Sequence, residues 1–196
     1  MSGMAQMLVA SGGGPGVTTV TWDPANKASE VVLSNGNLTA TKTTTDSYGM
    51  ARSTTSKTTG KHYFEVYVNS GASSPFIQIG VVNASASLTS GVGNTADGWS
   101  YYEDTGQKAN NGSFSSYGAL YTTGDVIGVA LNLDDGEVSF LKNNAAQGVA
   151  FTGLSGPLYA AISVYRQLGP PHQVTGRFKA SDFTYTPPAG YSAWEA

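Results

Sequence analysis

Cysteine is absent from the 196 residues, which removes disulfides, thiolate nucleophiles and cysteine-held zinc or iron–sulfur sites together. Charge is also scarce: 12% of residues are Asp, Glu, Lys or Arg, about half the ~25% of an average domain. The ten basic side chains are scattered singly and the formal net charge is −3. With no basic cluster to neutralise phosphates, nucleic acid is disfavoured as a partner. No apolar run approaches the ~20 residues of a membrane-spanning helix, so membrane insertion is not expected. The first basic residue is Lys27, so the positively charged start of a secretory signal peptide is missing. Histidine is limited to His62 and His172, and they form no metal-binding motif.

What fills the chain is glycine, serine and threonine, with β-branched residues plentiful and strong helix formers few. That balance favours an all-β, turn-rich fold. Residues 30–33 and 38–41 flank Asn35-Gly36, a strong hairpin signal between extended segments. Residues 61–68 (KHYFEVYV) alternate cleanly, with Phe64, Val66 and Val68 on one face. Further strands are expected at 76–82, 98–102, 125–133, 137–142 and 158–165. Asp134, Asp135 and Gly136 form the tight turn between two of them. Roughly ten short strands with frequent turns read as a sandwich or barrel. The expected core comprises Phe64, Val66, Ile77, Ile79, Trp99, Ile127, Val129, Leu131, Phe140 and Ile162.

Catalytic chemistry is hard to assemble. His62 sits mid-strand among aromatics and reads as a packed or rim histidine. Glu103 and Asp104 could supply a glycosidase carboxylate, but no second acid is placed by any pattern, and adjacent acids at a strand end are ordinarily solvated. The acids at 134–137 are better explained as turn residues than as calcium ligands. The expectation is a protein that is not an enzyme, with no catalytic residue, no cofactor and no metal. The conspicuous feature is tyrosine: of eleven in the chain, Tyr48, Tyr101, Tyr102, Tyr117, Tyr121 and Tyr165 fall near strand ends, where tyrosine suits recognition surfaces.

Residues 60–68 (GKHYFEVYV) resemble the G-x-x-Y-F-E-V strand of SPRY (B30.2-like) domains. The likeness continues, in family order, through IQIGV at 77–81, DGWSYY at 97–102 and GDVIGVALNLD at 124–134. GEVSFLKN at 136–143, GVAFTGL at 148–154 and LYAAI at 158–162 complete it. The resemblance implies a bent antiparallel β-sandwich of two sheets, without enzymatic activity, that recognises other proteins through loops at one side. It places recognition loops at 47–53, at 84–97 and just after 158–162. The implied partner-binding residues are Tyr48, Arg52, Tyr101, Tyr165, Arg166 and Gln167, with His172 in the long loop 167–176 a candidate contact. The segments 22–39 and 185–191 resemble the bacterial and bacteriophage branch. That likeness implies a virion structural protein of tail or capsid, made in the host bacterial cytoplasm, whose loops bind a host receptor, a glycan or a neighbouring virion protein. The alternatives are a decoration protein with no receptor role and an enzyme degrading host polysaccharide.

Two regions are expected: an N-terminal arm over residues 1–17 and the sandwich domain over 18–196. The arm's Gly-rich tract reads as a linker. Met4, Met7, Leu8 and Val9 carry apolar area without periodicity, and are expected to anchor the arm to other virion proteins in a homo-oligomer or larger assembly.

Overall fold

The computed structural model describes residues 19–44, 46–70, 76–166 and 171–195. Among them run fifteen strands. The first five are β1 (Trp22–Lys27), β2 (Val31–Ser34), β3 (Thr39–Lys42), β4 (Ser47–Lys57) and β5 (Lys61–Ser70). Next come β6 (Phe76–Val82), β7 (Gly98–Tyr102), β8 (Gln107–Asn110), β9 (Ser113–Ser116) and β10 (Val126–Asn132). The last are β11 (Glu137–Lys142), β12 (Ala145–Phe151), β13 (Leu158–Arg166), β14 (His172–Arg177) and β15 (Ser192–Ala193). Helix among the described residues is limited to a single 3₁₀ turn, Ala180–Asp182.

The strands form two sheets. Sheet A has the spatial order β1-β4-β13-β6-β7-β8-β9, and sheet B the order β12-β11-β10-β5-β14-β3-β2. The paired strands along both orders are antiparallel; β15 alone lies parallel, beside the start of β5. The all-β fold expected from the residues, and the two antiparallel sheets implied by the motif resemblance, are the ones observed. The Asn35-Gly36 hairpin joins β2 to β3, with φ of 52° and 61° at its two central residues. The turn at 134–136 joins β10 to β11, and Gly136 supplies its positive φ of 68°.

The core lies between the sheets. Phe64, Val66, Ile77, Ile79, Ile127, Val129, Leu131, Phe140 and Ile162 are all fully buried, joined by Trp22 and Trp194. Each such side chain contributes roughly 1.5–3 kcal/mol of apolar transfer. Trp99 departs from expectation: it is half-buried and packs against the core from its margin.

Two expected loops are strands. Residues 47–53 belong to β4, which looks polar and loop-like in sequence but is hydrogen-bonded on both sides, to β1 and β13. His172 opens β14, which lies between β3 and β5 inside sheet B. The segment 84–97 is a loop between β6 and β7, as expected. The arm, with Met4, Met7, Leu8 and Val9, lies outside the described residues, as does Gln167.

Strand packing is tightest at Gly80 on β6. A Cβ there would sit 1.9 Å from the Trp99 carbonyl oxygen and 2.9 Å from Ser100 Cα, both backbone atoms of β7. Side chains can yield to such a contact, but a paired strand cannot without breaking its ladder. Gly80→Val is therefore expected to cost about 3 kcal/mol or more, read as a lower urea midpoint; an unchanged midpoint would show that β7 can move aside.

The C-terminal segment is tied to sheet B by one buried acid. Glu65 on β5 is fully inaccessible. Its carboxylate accepts the backbone N–H groups of Thr184 at 2.7 Å and Tyr185 at 3.0 Å. Arg177 at 3.3 Å and the Tyr63 hydroxyl at 3.3 Å complete its shell. Phe183 and Tyr191 then cover Tyr63, Ala130 and Leu141 on the outer face of the sheet. Beyond them Trp194 packs edge-on against Phe64 and donates its indole N–H to the Thr55 carbonyl.

Candidate functional site

Alternation along the strands of sheet A divides their residues into two sets. Ala51, Ile77, Ile79, Tyr101, Ile162 and Val164 point into the core. Tyr48 and Met50, Tyr165 and Ser163, Phe76 and Gln78, and Tyr102 alternate with them and point outward. Cross-strand register sets Tyr48 on β4 opposite Tyr165 on β13, and Tyr165 opposite Phe76 on β6.

The result is a row of rings across the outer face. Tyr48 and Tyr165 have ring centres 5.0 Å apart, and Tyr165 meets Phe76 edge-on at 5.3 Å. Phe76 stacks on Tyr102 at 6.0 Å, and Tyr102 meets Phe114 of β9 at 5.7 Å. Aromatic pairs in these geometries each contribute about 0.5–1.5 kcal/mol beyond area burial, so the row is pre-ordered. Tyr48, Phe76 and Tyr165 are half-buried, Tyr102 is buried beneath its neighbours in the row, and Phe114 at the far end is 41% exposed.

One flank of the row is walled by the loop 83–97. Met50, Val82 and Ala161 pack against Ala86, Leu88 and Val92 beneath it. Arg52 secures the loop's start: its guanidinium donates to the Ala84 carbonyl at 2.8 Å and to Asn26 Oδ1 at 2.7 Å, and lies over the Tyr159 ring. Burial pushes the Tyr48 hydroxyl up, while the neighbouring side-chain amides of Asn94 and Gln78 pull the other way.

The other flank is basic. Lys42 is 1% exposed, and its ammonium donates to the Thr44 carbonyl and hydroxyl and to Ser47 Oγ. Burial lowers its pKa, Glu30 opposes that, and Arg166 adds to it. Arg166 donates to the Thr43 carbonyl, so two cations hold the segment that leads into Tyr48. His172 is 1% exposed beside them, and burial lowers its pKa.

Of the residues implied by the sequence, Tyr48 and Tyr165 come together in the row, and Arg52 and Arg166 brace its two flanks. Tyr101 and His172 do not present a surface. Tyr101 is fully buried between the sheets against Tyr121 and Phe140, because its parity on β7 is that of the core. His172 is buried because its strand is internal to sheet B. The acid pair also differs from expectation: Asp104 is exposed, but Glu103 is only 1% exposed. Phe76, Phe114, Gln78 and Asn94 were not anticipated, and Tyr102 was noted only as one of several strand-end tyrosines. A parity signal was present for one: assigning Trp99 to the core commits Tyr101 to the same face and sends Tyr102 outward. Among the described residues no three His, Asp or Glu side chains gather as a metal site.

The chain belongs to the SPRY domain family, whose model matches residues 61–176. It superposes on the SPRY domain of human HERC1 with a TM-score of 0.71 at 22% identity, covering 80% of this chain and 96% of that one. A second human SPRY domain superposes with a TM-score of 0.67 at 21% identity, over 78% and 96% of the two chains. In sequence it is similar to Ran-binding protein 9 of Xenopus tropicalis, 32% identical over 172 residues, which is 84% of this chain and 31% of the relative. The human Ran-binding protein 9 is 30% identical over 150 residues, 73% of this chain and 21% of the relative. The chain thus spans a third or less of the length of these relatives.

These relatives overturn the bacteriophage reading. They are eukaryotic Ran-binding proteins, not virion components. A tail or capsid role, virion partners, a host receptor or glycan, and a virion location are therefore withdrawn. The segments 22–39 and 185–191 that suggested the phage branch are explained by the fold. The first supplies β1 to β3, and the second covers the outer face of sheet B.

Proposed function

We propose that this chain is a non-catalytic protein-recognition module whose contact surface is the aromatic row Tyr48–Tyr165–Phe76–Tyr102–Phe114 beside the loop 83–97. The continuous row is the observation that carries the reading. Rigid aromatic side chains at the centre of a patch are the usual source of binding energy in protein interfaces. Membership of the SPRY family supports recognition over catalysis. Ran, named in the curated relatives, is the first protein to try as a partner, although the shared stretch is a minor part of each relative.

The test is a displayed-peptide selection on the purified domain, with Ran titrated alongside, followed by calorimetry on Tyr165→Ala and Phe114→Ser. Each truncation is expected to cost about 2 kcal/mol of binding, roughly thirtyfold in affinity, while the domain stays folded at the assay temperature. A ligand that binds both variants as well as the wild type would place recognition elsewhere on the domain.

A further inference from the structure

Gln78 interrupts an otherwise apolar strand. It lies between Ile77 and Ile79, projects to the face away from the core, and is nonetheless fully buried. Its cross-strand partner on β13 is Ser163, equally buried. A buried amide beside a buried hydroxyl destabilises a fold unless both are hydrogen-bonded. Both are, and to the same few residues of the overlying loop. The Val92 backbone N–H donates to Ser163 Oγ at 2.9 Å, and the Gly93 N–H donates to Gln78 Oε1 at 2.7 Å. Gln78 Nε2 donates to Asn94 Oδ1 at 3.0 Å, while the Ser100 hydroxyl donates to Gln78 Oε1 from β7 at 3.3 Å. The loop backbone rests directly on the sheet here: a Cβ on Gly93 would lie 2.4 Å from the Ala109 carbonyl oxygen. Asn94, bonded to Gln78, thereby lies beside the hydroxyl of Tyr48, the first ring of the row.

We infer that Gln78 and Ser163 are positioning residues for recognition: they seat residues 91–94 on sheet A so that the loop stands as a rigid wall beside the aromatic row. The inference rests on the row being the contact surface. A core position that needed only filling would take an aliphatic side chain, as Ile77 and Ile79 do on the opposite face. The polar pair instead makes the loop's placement specific, because amide and hydroxyl accept only from backbone groups held at the right height. Neither residue touches a ligand in this arrangement. They act by removing freedom from a loop that would otherwise be ordered at the expense of affinity.

The experiment compares Gln78→Met, Ser163→Ala and Asn94→Ala, using residue-resolved amide exchange together with the affinity for a peptide selected on the wild-type domain. In Gln78→Met the Gly93 amide is expected to exchange at least tenfold faster, with Val129 in sheet B unchanged and peptide affinity about tenfold weaker. Ser163→Ala is expected to accelerate Val92 in the same way. Asn94→Ala, at a half-buried loop position, is expected to lower affinity severalfold while Val129 exchange stays unchanged, which a general loss of stability would not do. If Gln78→Met fails to fold, Ser163→Ala and Asn94→Ala decide the matter by the same readouts. Unchanged exchange at both Gly93 and Val92, or a loosened loop with wild-type affinity, would overturn the inference. Wild-type binding by Tyr165→Ala would instead overturn the surface assignment on which it stands, and is recognisable because Gly93 exchange would still respond to Gln78→Met.

Discussion

Glu65→Ala is expected to lower the stability of the domain by about 3–5 kcal/mol and to release its C-terminal segment. The carboxylate is fully buried and is the common acceptor for Thr184, Tyr185, Arg177 and Tyr63. Removing it strands a guanidinium charge, a hydroxyl and two backbone N–H groups at once, which costs far more than a surface ion pair is worth. Phe183 and Tyr191 then lose their hold over Tyr63, and Trp194 loses the strand that aligns it. Urea denaturation followed by tryptophan fluorescence reads the stability. Brief trypsin digestion reads the release, as new cleavage after Arg177 and Lys179. A variant with the wild-type midpoint and no new cleavage would show that the tail is held by its aromatic contacts alone.

The second large effect concerns pH. Glu103 is 1% exposed, and neither carboxyl oxygen makes a hydrogen bond of ordinary geometry. Burial pushes its pKa from the ordinary 4.5 up to about 8; the nearby Ile77 backbone amide opposes this, and Asp104 and Asp125 reinforce it. The folded state thus keeps a proton that the unfolded chain loses above pH 4.5. Stability is fully present below about 4.5 and falls as pH rises towards 8, at about 1.4 kcal/mol per pH unit, to a total on the order of 4 kcal/mol. Glu103→Gln removes the titration. Wild type should lose stability between pH 4.5 and 8, and the variant should lose much less across the same interval. His62 and His172 act in the other direction, since burial lowers both and their charging at acid pH favours the unfolded chain. They are common to both proteins, so the difference between variant and wild type isolates Glu103. Parallel pH curves would mean that the carboxyl is ionised in the folded state at neutral pH.

Residues whose neighbours in sequence share their environment were legible without a structure. In β5, β6, β10 and β11 the alternation of apolar side chains marks both the strand and its buried face, and the bounds expected for β7 and β11 match those observed. Residues whose environment is made by distant chain were not. β4 (SYGMARSTTSK) reads as a loop, because its outward face is covered by the loop 83–97 and its partners lie in β1 and β13. Glu103 reads as a solvated acid, because Tyr121, near which it is buried, follows eighteen residues later. The binding row shows the same limit: Tyr48 and Tyr165 were found individually, but their contact with each other and with Phe76 exists only through cross-strand register. The bacteriophage assignment failed differently. Low charge and abundant Ser, Thr and Gly reflect sheets with polar outer faces and many turns, properties of the fold that say nothing about its source.

The order of strands in sheet B also dictates a problem during synthesis. β5 is central, with β10 on one side and β14 and β15 on the other, and these leave the ribosome long after β5 itself. At ordinary elongation rates roughly 5–20 s separate the emergence of β5 from that of β14. Until β10 emerges both edges of this alternating apolar strand are open, and the edge that β14 and β15 cover stays open throughout, the condition in which nascent chains pair with one another. On β4 only the edge that β13 covers waits in this way, because β1, made earlier, is already present for the other. A polypeptide built this way folds late, and its exposure to mispairing during synthesis is set by strand order, whatever the stability of the finished domain.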